Sequence, residues 1–229
     1  VEGHCIVTRR GEELGRQTAS LLKPLMVGEN ALDREKIWQR LWDVGRMGTG
    51  IVEALGAFDV ALWDLAAKAA GVPLYKHLGA YRDKVPAYAS TFTQETVEDY
   101  EPLARDCVER GYKAIKLHAF GDVQKDIEAC RLVRETVGDD IELMLDASAA
   151  YTYEEALWAG RELEKLNFYW FEEPMRDYET TGLQELHRRL EIHLCVAETG
   201  WDSLYDVANH IAQKTGRMIH STWYRKGGI

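Results

Sequence analysis

The stretch Ile141-Glu142-Leu143-Met144-Leu145-Asp146-Ala147-Ser148 decides how this chain folds. Its apolar run has the length of a buried strand and ends on a carboxylate. Two later runs end the same way: Glu172 in Tyr169-Trp170-Phe171-Glu172-Glu173-Pro174, and Glu198 in Leu194-Cys195-Val196-Ala197-Glu198-Thr199-Gly200. Asp146 to Glu172 and Glu172 to Glu198 are both intervals of 26 residues, and each interval holds a helix-length polar segment. Successive β/α units of a parallel barrel have this rhythm, and a barrel gathers the C-terminal ends of its strands at one mouth. The three acids are therefore expected to converge.

Working outward, the same alternation begins at Val85. Strands are expected at 85–90 and 114–120, followed by helices at 96–110 and 123–137. The third strand ends at Asp146 and precedes a helix at 153–166. The fourth ends at Glu172 and precedes one near 183–190, and the fifth ends at Glu198 and precedes one at 203–214. Met218-Ile219-His220-Ser221 is the sixth strand. A complete barrel has eight, so about six of eight are present. The competing α/β architecture, an open doubly wound sheet, calls for a Gly-rich first turn that this chain lacks.

Residues 1 to about 80 do not alternate in this way. Cys5-Ile6-Val7-Thr8 reads as a short strand. Helices are expected at 12–25, at 34–44 behind Asp33 as N-cap, and at 51–70, where Gly71-Val72-Pro73 ends the longest amphipathic pattern. Gly48-Thr49-Gly50 reads as a flexible loop, and Pro73 to Gly79 as a short helical turn. Asp59 and Asp64 fall inside the long helix and are assigned structural roles, Asp64 as the i,i+4 partner of Lys68. Tyr81-Arg82-Asp83-Lys84 is a polar linker, which divides the chain into residues 1–82 and 83–229. Both ends are abrupt, so the chain is expected to be a fragment of a longer protein.

Composition narrows the function. With 46% apolar and 29% charged residues among 229, the chain can bury a sizeable core. Its formal charge of −10 and lack of any basic cluster argue against nucleic-acid and anionic-membrane partners. Cys5, Cys107, Cys130 and Cys195 have no CxxC spacing and read as reduced thiols. No apolar run approaches the roughly 20 residues that span a bilayer. The N-terminus has no signal-peptide pattern, which makes the cytoplasm the default location.

Three convergent carboxylates repel one another unless a cation sits among them. An all-oxygen set of this size suits Mg²⁺, which keeps positions open for water and substrate. Lys116 and His118, two residues apart on a strand, share a face one β/α unit earlier. A lysine buried beside a metal is a candidate for a depressed pKa, and histidine titrates near neutrality, so either offers a base. A strand lysine and histidine alone would be an ordinary solvated face. Together with three ordered acids they mark a site.

Lys116-x-His118, Asp146, Trp170-Phe171-Glu172-Glu173-Pro174, Ala197-Glu198 and Ala61-Leu62-Trp63-Asp64-Leu65-Ala66-Ala67-Lys68 together resemble the enolase superfamily, in its mandelate racemase and muconate lactonizing enzyme branch. The resemblance implies an N-terminal α+β capping domain and a modified (β/α) TIM-type barrel. It also implies that Asp146, Glu172 and Glu198 bind Mg²⁺, with Glu173 not a primary ligand. The shared reaction step would be abstraction of the proton α to a carboxylate, giving a metal-stabilised enediolate. Lys116 and His118 fall on the branch's Lys-x-Lys motif, with His118 as base or acid and Lys116 as a protonated substrate contact.

The branch usually places an aspartate five residues before a Gly-Gly pair, and here Thr222 stands at that position. In the branch that aspartate orients the histidine that serves a two-base racemase as its second base; with that partner replaced, the resemblance points to dehydration of a sugar acid to a 2-keto-3-deoxy acid, an expectation set against two others. Those are a racemase, epimerase or cycloisomerase of the same superfamily, and a non-catalytic metal-binding barrel. A small carboxylate substrate, a homo-oligomer and no nucleic-acid or membrane partner are the accompanying expectations.

Overall fold

In the computed structural model of the chain, residues 1–7, 10–45, 51–198 and 203–229 are described. Six parallel strands form one sheet in the order β1-β2-β3-β4-β5-β6. These are β1 (Ala89–Ser90), β2 (Ala114–His118), β3 (Glu142–Asp146), β4 (Trp170–Glu172), β5 (His193–Val196) and β6 (Met218–Ile219). Strand order equal to chain order is the succession of a (β/α) barrel; a doubly wound sheet reverses direction at a switch point.

Helices alternate with the strands. Within the described residues of this unit, α-helices run over Tyr100–Glu109, Val123–Val137, Tyr153–Lys165, Thr180–Arg189 and, reaching into its last crossover, Leu204–Gln213. Local chemistry starts them where the sequence predicts. The Asp122 carboxylate accepts from Gln124 and Lys125 N–H at the head of the second, and Thr152 and Glu155 form a reciprocal capping box at the third. The first starts four residues later than expected, because Thr96 and Asp99 bond to each other in a turn ahead of it.

Strand periodicity sorts the side chains. Leu117, Leu145, Phe171 and Leu194 are register partners across four strands and lie in the apolar core beside the helices. One residue further on, His118, Asp146, Glu172 and Cys195 are also register partners, on the opposite face. A single apolar layer thus holds a polar row in line at the strand ends.

Several expected elements differ; the strands expected at 114–120 and 218–221 end two residues early, at His118 and Ile219. The first strand forms its ladder only at Ala89 and Ser90, opposite Ile115 and Lys116; in this register residues 85–87 lie ahead of the start of β2 at Ala114. The fifth stops at Val196, two residues before Glu198, where Ala197 takes a positive φ of 75°. Cys5–Val7 are not a strand: Ile6 is exposed and no neighbouring strand supplies a ladder there among the described residues. Thr8 and the Gly48-Thr49-Gly50 loop lie outside the described residues.

The chain divides into two compact units. One comprises the barrel strands and their helices from Val85 to His220; the other comprises Val1–Lys84, a short segment ending at Asp206, and Ser221–Ile229. Among its described residues the second is helical. α-Helix Gly11–Gln17 passes through a π-helical stretch, Thr18–Leu22, into Lys23–Met26. Pro24 brings no N–H to that last turn, and the wider winding precedes it. Arg34–Gly45 and Val52–Ala69 follow, with Leu74–His77 as the short turn. Asp64 bonds Lys68 at 2.7 Å, as the i,i+4 spacing predicts. Leu14, Leu22, Ile37, Leu41, Leu55 and Tyr224 share this unit's core.

Candidate active site

The polar row at the strand ends forms a connected cluster. Lys116 Nζ donates to Glu172 Oε2 at 2.8 Å and to Asp146 Oδ2 at 3.2 Å, with all three side chains buried. His118 Nε2 lies 3.1 Å from the same Asp146 oxygen. The other Asp146 oxygen accepts from the Ser148 N–H at 2.9 Å and the Ser148 hydroxyl at 3.2 Å. Trp170 donates its indole N–H to Glu172 Oε2 at 3.1 Å, and its ring meets Tyr88 edge to face.

The far side of the cluster is built by a residue that the sequence reading treated only as part of the sixth strand. His220 Nδ1 lies 2.5 Å from Glu172 Oε1 and 3.4 Å from Glu198 Oε2. Its placement follows from β6: His220 N–H donates to the Val196 carbonyl, extending the ladder one step past Ile219. The signal in the sequence was its position at the end of an apolar run, the position that Asp146 and Glu172 occupy in theirs.

Charge balance follows from these contacts. Burial pushes the Asp146 carboxyl up, but the His118 hydrogen bond and the Lys116 charge outweigh it and hold the pKa at about 2. Glu172 is held below the usual carboxylate range despite burial, chiefly by His220 and Lys116. Both histidines are raised, His118 by its bond to Asp146 and His220 by its bond to Glu172. For Lys116, burial opposes the charge, yet Glu172 and Asp146 shift it upward. This is the reverse of the depressed pKa considered for it, and these surroundings favour the ammonium.

Ligating atoms of Asp146, Glu172 and Glu198 all lie within 4.8 Å of one another. Hard cations take carboxylate oxygens at about 2.0–2.6 Å, so oxygens on opposite sides of one ion lie about 4–5 Å apart. The donor set therefore fits such an ion in both chemistry and span. The loops leaving β3, β4 and β5 carry positive φ at Ser148, Ala149, Glu173 and Ala197. Non-glycine residues held in this region concentrate where a site's geometry is over-determined. Thr222 supplies no acid; its carbonyl accepts from Arg225 N–H at the start of a 3₁₀ turn, Trp223–Lys226.

Comparison with known proteins agrees with the architecture. Residues 99–229 match the enolase C-terminal domain-like family, and residues 1–79 match the mandelate racemase / muconate lactonizing enzyme N-terminal domain. The chain is 36% identical to an arabinonate dehydratase of Saccharolobus solfataricus over 81% of its own length and 50% of the relative's. It is 33% identical to a 3,6-anhydro-alpha-L-galactonate cycloisomerase of Streptomyces coelicolor, over 83% of this chain and 54% of that one. The crystal structure of D-glucarate dehydratase from Agrobacterium tumefaciens, complexed with magnesium, superposes with a TM-score of 0.91 at 36% identity, covering 99% of this chain and 63% of that chain. The chain spans about half the length of the curated relatives it matches. It belongs to the enolase superfamily, in the branch of mandelate racemase and muconate lactonizing enzyme.

Proposed function

We propose that the protein is a Mg²⁺-dependent enzyme that removes the proton α to a carboxylate and dehydrates a sugar acid to a 2-keto-3-deoxy acid. The observation that carries this reading is the interleaving of three carboxylates with one ammonium and two imidazoles at consecutive strand ends. Asp146, Glu172 and Glu198 would hold the metal, which would supply positive charge against the negative charge that builds on the substrate carboxylate. Lys116 remains an ammonium that balances the acids and adds positive charge beside the substrate carboxylate.

His118 takes the α-proton at Nε2, the atom that otherwise faces Asp146. His220 stands on the other side of the acids in strand order and gives a proton to the departing β-hydroxyl, which leaves as water. The enol left behind becomes the ketone by taking a proton at carbon. The dehydratases among the relatives support this choice. The same reading makes the substrate a small sugar acid; a homo-oligomeric assembly and a cytoplasmic setting are proposed beside it and do not follow from the site.

A second reading, epimerisation or cycloisomerisation, is favoured by the same His220, because two imidazoles flanking one substrate can act on opposite faces. Relatives that are cycloisomerases and an epimerase are consistent with it. Incubation with a library of acid sugars and Mg²⁺ separates the readings. Dehydration yields a 2-keto-3-deoxy acid from at least one member. Exchange of the α-proton with D₂O without loss of water selects the isomerase. Neither product nor exchange, with Mg²⁺ still raising the melting temperature, leaves a metal-binding barrel without catalysis.

A further inference from the structure

Cys195 is the one member of the polar row that the proposed chemistry does not use. It is the register partner of Glu172 on the neighbouring strand, and its side chain is buried on the same face of the sheet. His220 follows the register partner of Val196 and so stands one strand further on. A sulfur, an imidazole nitrogen and a carboxylate oxygen from Cys195, His220 and Glu172 lie within 4.8 Å of one another. These are three candidate ligands of different kinds, two from neighbouring strands and one from the residue that follows the next strand.

We propose that Glu172, Cys195 and His220 form a second metal site, selective for borderline-soft divalent ions such as Zn²⁺ or Cd²⁺ and antagonistic to the all-oxygen site through the shared Glu172. Thiolate and imidazole donors select such ions over Mg²⁺, which is confined to oxygen ligands. Three protein ligands leave a fourth position for water, the pattern of an open rather than a structural zinc site. The ion replaces the proton held between His220 Nδ1 and Glu172 Oε1, and the Cys195 thiol proton leaves to solvent as the metal–sulfur bond forms. Of the four cysteines, Cys107 and Cys130 are buried away from this row in the core against the helices, and Cys5 lies in the other unit. The site therefore depends on one identifiable thiol.

The test is Cd²⁺ titration of the purified chain, read by the ultraviolet sulfur-to-cadmium charge-transfer band, which requires no substrate. Wild type and Cys5→Ser are expected to develop the same saturable band. Cys195→Ser, nearly isosteric, should lose it or weaken Cd²⁺ binding by more than about 100-fold, beyond the usual effect of losing a supporting contact around a metal. His220→Gln should weaken binding in the same direction. Added Mg²⁺ should raise the Cd²⁺ concentration needed for half-saturation. Far-UV circular dichroism checks that each variant is folded; should Cys195→Ser not fold, Cys195→Ala carries the same expectation. A band that survives Cys195→Ser, or no band in wild type, overturns the site. A band indifferent to Mg²⁺ overturns the antagonism. None of these outcomes depends on the dehydratase reading, which product formation tests separately.

Discussion

Lys116 Nζ sits 2.8 Å from Glu172 Oε2 with both side chains buried. Removing one partner of a buried pair leaves the other uncompensated, at a cost of about 3–5 kcal/mol. Lys116→Met should therefore destabilise the chain by an amount in that range, measured by denaturant unfolding without metal. Adding Mg²⁺ should recover part of the loss, because it supplies positive charge to the same acids. An unchanged unfolding midpoint would show that the ammonium is not the main countercharge to Glu172.

How much of this was readable beforehand depends on what each residue answers to. Asp146 and Glu172 end apolar runs whose two-residue period decides which face they take, so their convergence followed from local pattern and barrel geometry alone. Glu198 was readable as a member of the set but not in its position, since the positive φ at Ala197 carries it past the strand end. His220 was hidden for a different reason. Its run, Met218-Ile219, is only two residues long, and its role comes from Glu172, 48 positions away in the chain. The Cys5–Thr8 expectation rested on propensity, and β-propensity forms no strand where a ladder partner is missing.

Binding of Mg²⁺ should stabilise the fold by mass action, by about 2.7 kcal/mol at a concentration 100-fold above the dissociation constant. Glu198→Gln removes one charged donor from the set and should shift the required Mg²⁺ concentration upward by tenfold or more, on the order of the loss of one metal contact. Glu185→Gln is the control: its carboxylate pairs with Arg188 and Arg189 on its own helix and is not one of the converging acids. Thermal melts across a Mg²⁺ series distinguish the two, and equal curves for both variants would remove Glu198 from the metal set.

Gly56 and Gly15 are both helical, yet their neighbourhoods differ. A Cβ on Gly56 would lie 2.1 Å from the Tyr224 carbonyl oxygen, a backbone atom that side-chain rotation cannot move. A Cβ on Gly15 would meet nothing within 4 Å. Gly56→Ala should destabilise by about 1–3 kcal/mol or more through overpacking. Gly15→Ala should stabilise by about 0.5–1 kcal/mol through reduced backbone freedom in the unfolded chain. Opposite shifts in melting temperature are expected, and a neutral Gly56→Ala would mean that Ser221–Ile229 do not pack on this helix in solution.

Asp59 gives a pH dependence whose sign can be worked out. Its carboxylate is buried in the unit that contains Ser221–Ile229, accepts the Ile229 N–H at 2.9 Å, and has Glu35 and Arg34 as charged neighbours on the packed helix. Burial raises its pKa from 3.8 to about 6, with the Ile229 hydrogen bond and Arg34 opposing. The folded state thus holds the proton more tightly than the unfolded one. The stabilisation from the neutral carboxyl is fully present below pH 3.8 and is lost as pH rises through about 6. A shift of this size corresponds to at most about 3 kcal/mol, and to about half that once partial solvent screening is allowed for. Asp59→Asn keeps an acceptor for Ile229 but cannot ionise. Its stability relative to wild type should therefore be flat below about pH 4 and rise between pH 4 and 7 by about 1–2 kcal/mol, in denaturant unfolding repeated across that range. A variant that instead loses ground as pH rises would show that Asp59 is stabilised in its charged form, and that Arg34 and the Ile229 hydrogen bond outweigh its burial.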